Sequence, residues 1–173
     1  MLEQVRRVVA GLDADGRSAV LSDEVATNSA ENPAWPGFGV TLLWRTDEAP
    51  AVVRTGADPT EGQLQVLPNP AGTTCVVCEF PPLSSLDAMA PEQRAAAQQL
   101  SFGDDDDGQS LRLHATPTVD YLVMLSGELT LVLDAGETTL RVGDVLVDCG
   151  VRHGWENRGR TPAVCLTVMI DKA

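Results

Sequence analysis

The chain reads as a mainly all-β domain, a sandwich or barrel, and three observations predict it. Short apolar runs punctuated by Gly, Asp and Pro succeed one another from Leu111 to the C-terminus. They alternate with period two and show little 3.6-residue periodicity. Turn pairs such as Ser126-Gly127 and Ala135-Gly136 separate them at the even spacing of an antiparallel array.

Residues 4–10 and 17–23 flank a Gly- and Asp-containing segment and predict two short strands joined by a loop. Residues 28–37 are rich in turn formers and read as irregular. Residues 38–45 and 73–80 are apolar enough for strands. Residues 90–100 form the one expected helix, short and on the surface. Pro91 suits its first turn, Glu92 complements its N-terminal dipole, and three consecutive alanines favour it. A polar loop follows, in which the run Asp104 to Asp107 lacks the alternating ligand pattern of a calcium loop and reads as solvated acid. Strands are then expected over 118–125, 128–134, 138–142, 144–149 and 162–171. With no linker or repeat, residues 1–173 read as a single domain whose first 60 or so residues form a strand-rich N-terminal extension.

Twelve Lys and Arg stand against 25 Asp and Glu, a formal net charge of -13. Such a surface repels phosphate backbones and anionic lipid, so neither nucleic acid nor membrane is an expected partner. No run approaches the length of a membrane span, and residues 1–11 lack the apolar core of a signal peptide, so a cytoplasmic location is expected. Of the four cysteines, Cys75 and Cys78 have CxxC spacing. Three residues apart on a strand they point to opposite faces, and no second CxxC exists to complete a zinc site. The cysteines are therefore expected to be ordinary thiols.

Both histidines of the chain, His114 and His153, fall in patterned strand-like segments. His114, Thr116, Thr118, Asp120, Leu122 and Met124 share parity and so one face, while Val119, Tyr121, Val123 and Leu125 take the other. Arg112 has the parity of the first row. A barrel interior mixing Arg, His, Thr and Asp with Leu and Met has the composition of a ligand pocket. His153, Trp155 and Asn157 also share parity, with Trp155 placed to form an aromatic wall beside His153.

At these residues the chain resembles the cupin superfamily, a double-stranded β-helix or jelly-roll barrel. The family's first motif runs from a glycine through a His-x-His pair and a glutamate to a second glycine. Gly108, His114 and Gly127 fall in register, Thr116 stands at the second histidine and Asp120 at the glutamate. Of the second motif, Gly143, His153 and Asn157 correspond. Cys149 occupies the proline position, Gly150 follows it, and the segment is one residue short before the histidine. The motifs span residues 108–157. The pattern HxTxTxDY followed by HxWxN resembles small single-domain cupins encoded among polyketide and aromatic-metabolism genes.

The resemblance implies a small-molecule enzyme working in the barrel. In one reading His114, Asp120 and His153 hold a divalent iron, zinc, manganese or nickel ion that polarises a carbonyl or activates oxygen, as in dioxygenases of the two-histidine, one-carboxylate type. In the other, the same three residues are acid and base groups of a lyase, cyclase or dehydratase step. Arg112, Thr116, Met124 and Trp155 are the expected substrate contacts, Arg112 through a carboxylate or phenolate. No nucleotide cofactor is implied. A binding module without catalysis is the alternative class. The resemblance further implies a homodimer, with the segment before Phe38 as an exchanged or edge-covering strand.

Overall fold

The strands form where alternation and turn residues predict them. The computed structural model describes residues 2–52, 57–102 and 113–172, the side chains of 98–102 excepted. Gly108, Arg112 and the Asp104–Asp107 run lie outside the described residues.

β1 (Arg6–Leu12) and β2 (Ser18–Val25) form an antiparallel pair of their own. β3 (Ser29–Glu31) is a three-residue strand inside the stretch expected to be irregular, and β4 (Gly39–Thr46) pairs with it. β5 (Thr73–Phe80) is followed by α1 (Leu83–Asp87) and α2 (Pro91–Phe102). After them come β6 (Thr118–Ser126), β7 (Glu128–Leu133), β8 (Gly136–Arg141), β9 (Val145–Asp148), β10 (His153–Glu156) and β11 (Ala163–Asp171). A six-stranded sheet has the order β3-β4-β5-β11-β6-β9, and a three-stranded sheet the order β10-β7-β8. β3 and β4, within the stretch expected as an N-terminal extension, are thus part of the large sheet.

The two larger sheets bury their facing sides together. Leu129 and Leu140 from the small sheet join Phe80, Leu122, Met124, Ala163 and Cys165 from the large one in a single cluster. Each large apolar side chain sealed there contributes about 1.5–3 kcal/mol of transfer free energy. This two-layer β architecture is the jelly-roll class expected from the sequence.

Among the described residues two helices occur where one was expected. The extra one, α1, is only a turn and a half, too short to leave a periodic signal. Its N-cap residue is Pro82, without a side-chain cap, and Leu83 N–H instead donates to the Asn157 carbonyl at 2.8 Å. Tertiary contacts hold it. Leu86 packs with Trp35 and Ala97, Trp35 Nε1 donates to Ser85 Oγ at 2.8 Å, and Asn32 Nδ2 donates to the Ala97 carbonyl at 2.9 Å.

The turn between β6 and β7 requires a glycine. Gly127 has φ +68°, and a Cβ there would meet the Pro162 carbonyl oxygen at 2.6 Å and Ala163 Cα at 2.9 Å. Both neighbours are backbone and cannot swing aside. Gly127→Ala is expected to cost about 2 kcal/mol, the sum of left-handed strain and crowding. A urea titration reads this as a lowered midpoint, and an unchanged midpoint would show that the backbone yields.

Candidate active site

β6 enters the barrel with its alternation intact. Tyr121 and Leu125 are exposed on the outer face, while Leu122 and Met124 are buried on the inner one. Upstream of β6, His114 meets His153 in an antiparallel bridge, each backbone N–H donating to the other's carbonyl at 2.8 Å. This bridge ties the two motifs together. It sets the imidazole rings 4.6 Å apart between centroids, tilted by 55°.

The rings border a cavity of about 570 Å³. His114, Thr116, Asp120, Leu122, His153 and Trp155 line it, as the parity argument expects. Thr118, of the same parity, is instead buried and exchanges a hydroxyl hydrogen bond of 2.7 Å with Thr116. Met124, expected to touch substrate, is not on the cavity wall. It is 1% exposed in the core between the sheets, because the inner row descends from the cavity into the packed floor. Asn157 likewise serves the frame. Its Nδ2 donates to the carbonyls of Phe80 (2.7 Å) and Thr161 (2.8 Å), and its Oδ1 accepts from Gly159 N–H (2.9 Å). Arg112 lies outside the described residues.

Much of the remaining wall comes from elements that no motif marked. Phe38, Phe80, Cys78, Cys165 and Thr167 line it from β5, β11 and the turn before β4. Two of the chain's three Trp and two of its three Phe make one series of ring contacts. Trp35 stacks on Phe38 at 5.0 Å, Phe38 meets Phe80 edge-on at 5.4 Å, and Phe80 lies 6.4 Å from Trp155. Trp155 in turn sits edge-on to His153 at 5.3 Å. An apolar, aromatic wall therefore ends at the histidine pair.

A second carboxylate, Asp148, joins the polar end. It faces Asp120 across the β6–β9 ladder and lines the same cavity. Its Oδ1 accepts from the N–H groups of Gly150 (2.8 Å) and Val151 (3.0 Å). The resulting turn depends on Gly150, whose φ is +70° and whose Cβ would strike the Thr118 carbonyl oxygen at 2.6 Å. It brings the Val151 carbonyl to 2.9 Å from His153 Nδ1. Asp148 Oδ2 is 2.7 Å from the same nitrogen, in contact but outside regular hydrogen-bond geometry. Oxygen acceptors on both approaches place the ring proton on Nδ1 and leave the lone pair on Nε2. The Asp-x-Gly turn at Asp148 and Gly150 was the available sequence sign of this residue.

Asp120 is held differently. Its Oδ1 is buried with no hydrogen-bond partner among the described residues. Burial pushes its carboxyl above the usual range and the nearby Asp148 charge adds to the rise, against opposing contributions from the Thr118 hydroxyl and His153. A raised carboxyl facing a cavity is suited to hold a proton and give it up.

The expected three-residue metal centre is not assembled among the described residues. Among the described residues no group of three or more His, Cys, Asp and Glu side chains is placed to hold one ion. Thr116, at the second-histidine position, is tied to Thr118 and offers a hydroxyl where the family motif has an imidazole. His114, Asp120 and His153 thus border one cavity without converging as a ligand set.

Among known proteins, residues 105–169 match the family model described as Cupin domain. A 55-residue stretch is 51% identical to Phomopsin biosynthesis cluster protein C' of Diaporthe leptostromiformis, covering 31% of this chain. The match spans only 29% of that relative's length. The cupin-domain-containing oxidoreductase srdD of Neurospora crassa is 25% identical over 98% of this chain and 76% of its own. Among solved structures, a Cupin 2 conserved barrel domain protein from Salinispora arenicola aligns with TM-score 0.42 and 14% identity, over 78% of this chain and 76% of that one. The two motifs, joined by the His114–His153 bridge, lie in the jelly-roll on the same stretch that matches the family model: residues 105–169 are similar to the cupin domain.

Proposed function

We propose that the chain is an enzyme of secondary metabolism that performs a proton-transfer step of the lyase, cyclase or dehydratase class on an aromatic or polyketide-type metabolite. One observation carries the reading. An oriented imidazole and a partnerless buried carboxyl oxygen lie together at one end of an aromatic-walled cavity of about 570 Å³. The volume suits a small metabolite, and the Phe80 and Trp155 faces suit a flat ring. The similarity to proteins named for biosynthesis clusters supports the metabolic setting.

His153 Nε2 takes a proton from carbon next to a carbonyl, and the neighbouring Asp148 carboxylate stabilises the imidazolium that forms. Asp120, its carboxyl raised by burial, returns a proton to the departing or newly anionic oxygen. His114 packs beside His153 and Thr116 borders the bound molecule.

The test needs no knowledge of the natural substrate. The protein is incubated in heavy water with a panel of enolisable aryl ketones and β-dicarbonyl compounds, and hydrogen-to-deuterium exchange is followed by proton NMR with and without a chelator. Exchange above the buffer rate, indifferent to chelation, is expected for members that fit the cavity. No exchange across the panel, together with metal-dependent oxygen uptake, would replace this reading with the oxidoreductase activity for which relatives are named.

A further inference from the structure

We propose that Cys78 and Cys165 are a redox-active dithiol built into the cavity wall, closing to a disulfide when a hydroperoxide enters. Two independent placements carry this. β5 and β11 run antiparallel with Cys78 and Cys165 as direct cross-strand partners. Both residues also line the cavity. Direct cross-strand partners have Cα atoms about 4.5–5.5 Å apart, inside the roughly 4.4–6.8 Å that a disulfide spans. All four cysteines are free thiols.

The two sulfurs are not equivalent. The Cys78 thiol hydrogen-bonds the Cys165 sulfur, and that contact holds the Cys165 thiol below its ordinary value against the opposing effect of burial. Thr167 Oγ1, 3.8 Å from Cys165 Sγ, adds to it. The same contact, burial and the Asp120 charge push Cys78 up. Cys78, half-buried on the cavity wall, is the sulfur an entering peroxide reaches, and the fully buried Cys165 lies beside it to resolve. The Cys78 sulfur, as its thiolate, attacks the distal peroxide oxygen and the O–O bond breaks. The alkoxide takes up a proton and leaves as alcohol, and Cys78 becomes a sulfenic acid. The Cys165 sulfur, which ionises more readily, then attacks the sulfenic sulfur, forming the S–S bond and expelling water. Two thiols and one hydroperoxide become one disulfide, one alcohol and one water. The sulfurs lose the two electrons that the peroxide bond gains.

The other two cysteines are internal controls. Cys75, three residues from Cys78 on the same strand, pairs across with Trp44 and Val168 and does not line the cavity. Cys149 is exposed on the outer surface.

The full-length protein is treated with small excesses of hydrogen peroxide, and its thiols are counted and its peptides mapped without reduction. The expected result is loss of two of the four thiols and a single intrachain peptide joining Cys78 to Cys165, reversed by dithiothreitol. Cys165→Ala abolishes that peptide, whereas the double variant Cys75→Ser, Cys149→Ser still forms it. Wild-type mapping decides the matter even if a cavity variant folds poorly. Four surviving thiols at peroxide levels that oxidise a free cysteine peptide would overturn the proposal, as would oxidation confined to Cys149. The mapping needs no substrate, so its outcome is independent of the catalytic reading above.

Discussion

Asp120→Asn is expected to lower catalysed proton exchange by about 10²- to 10⁴-fold, the usual worth of one positioned acid–base group. The amide keeps the shape of the carboxyl but neither accepts nor releases a proton in the working pH range. The fold is expected to survive, because Asp120 is not what holds β6: its Oδ1 has no hydrogen-bond partner among the described residues. Stability supplies a second readout with a definite sign. Folded Asp120 has its carboxyl raised by burial, while in the unfolded chain it ionises near the ordinary value of about 4. Between the two values the folded state binds more protons, so the wild-type protein loses stability as pH rises through that window. The variant has no such group. The difference in melting temperature, variant minus wild type, is therefore expected to become more positive from about pH 4 upward. An Asp120→Asn variant that exchanges protons at the wild-type rate would remove Asp120 from the mechanism.

The largest loss of stability at a single polar side chain is expected for Asn157→Ala. Asn157 is 2% exposed and makes three hydrogen bonds, two donated to the carbonyls of Phe80 and Thr161 and one accepted from Gly159 N–H. Its backbone carbonyl also receives the first N–H of α1. It thus ties the end of β10 to the end of β5 and to the helix that follows. Each bond contributes about 1 kcal/mol net, and the backbone groups left without partners in the interior raise the cost, so about 3 kcal/mol is expected in all. Guanidinium unfolding reads this as a lower midpoint at unchanged slope. Asn157→Asp is expected to fare no better, since it keeps the acceptor for Gly159 but sets a carboxylate oxygen against two carbonyls. Stability within about 0.5 kcal/mol of wild type for both variants would show that water replaces the lost bonds.

Because Phe80 walls the cavity, loosening Asn157 is felt at the site.

Much of the site was legible from local pattern. Period two placed His114, Thr116, Asp120 and Leu122 on one face and Tyr121 and Leu125 on the other, and the structure keeps that division. The same rule separated Cys75 from Cys78. Alternation is a property of the backbone of one strand, so a sequence states it directly. It carries no information about depth, and so Met124, on the correct face, turned out to be sealed in the floor of the barrel. Nor does it reveal short elements held by others. β3 exists because β4 offers it an edge, and α1 because Trp35, Ala97 and Asn157 hold it.

The sequence by itself determined the jelly-roll class and the faces of the strands. Only the tertiary structure decided which residues from distant strands share the cavity. It set Asp148 beside Asp120 and His153, brought Phe38 and Phe80 to Trp155, and placed Cys78 opposite Cys165. The reason is physical. Side-chain direction follows from one strand's own geometry, whereas strand order is chosen by burying whole apolar faces against each other, a choice spread over the entire chain.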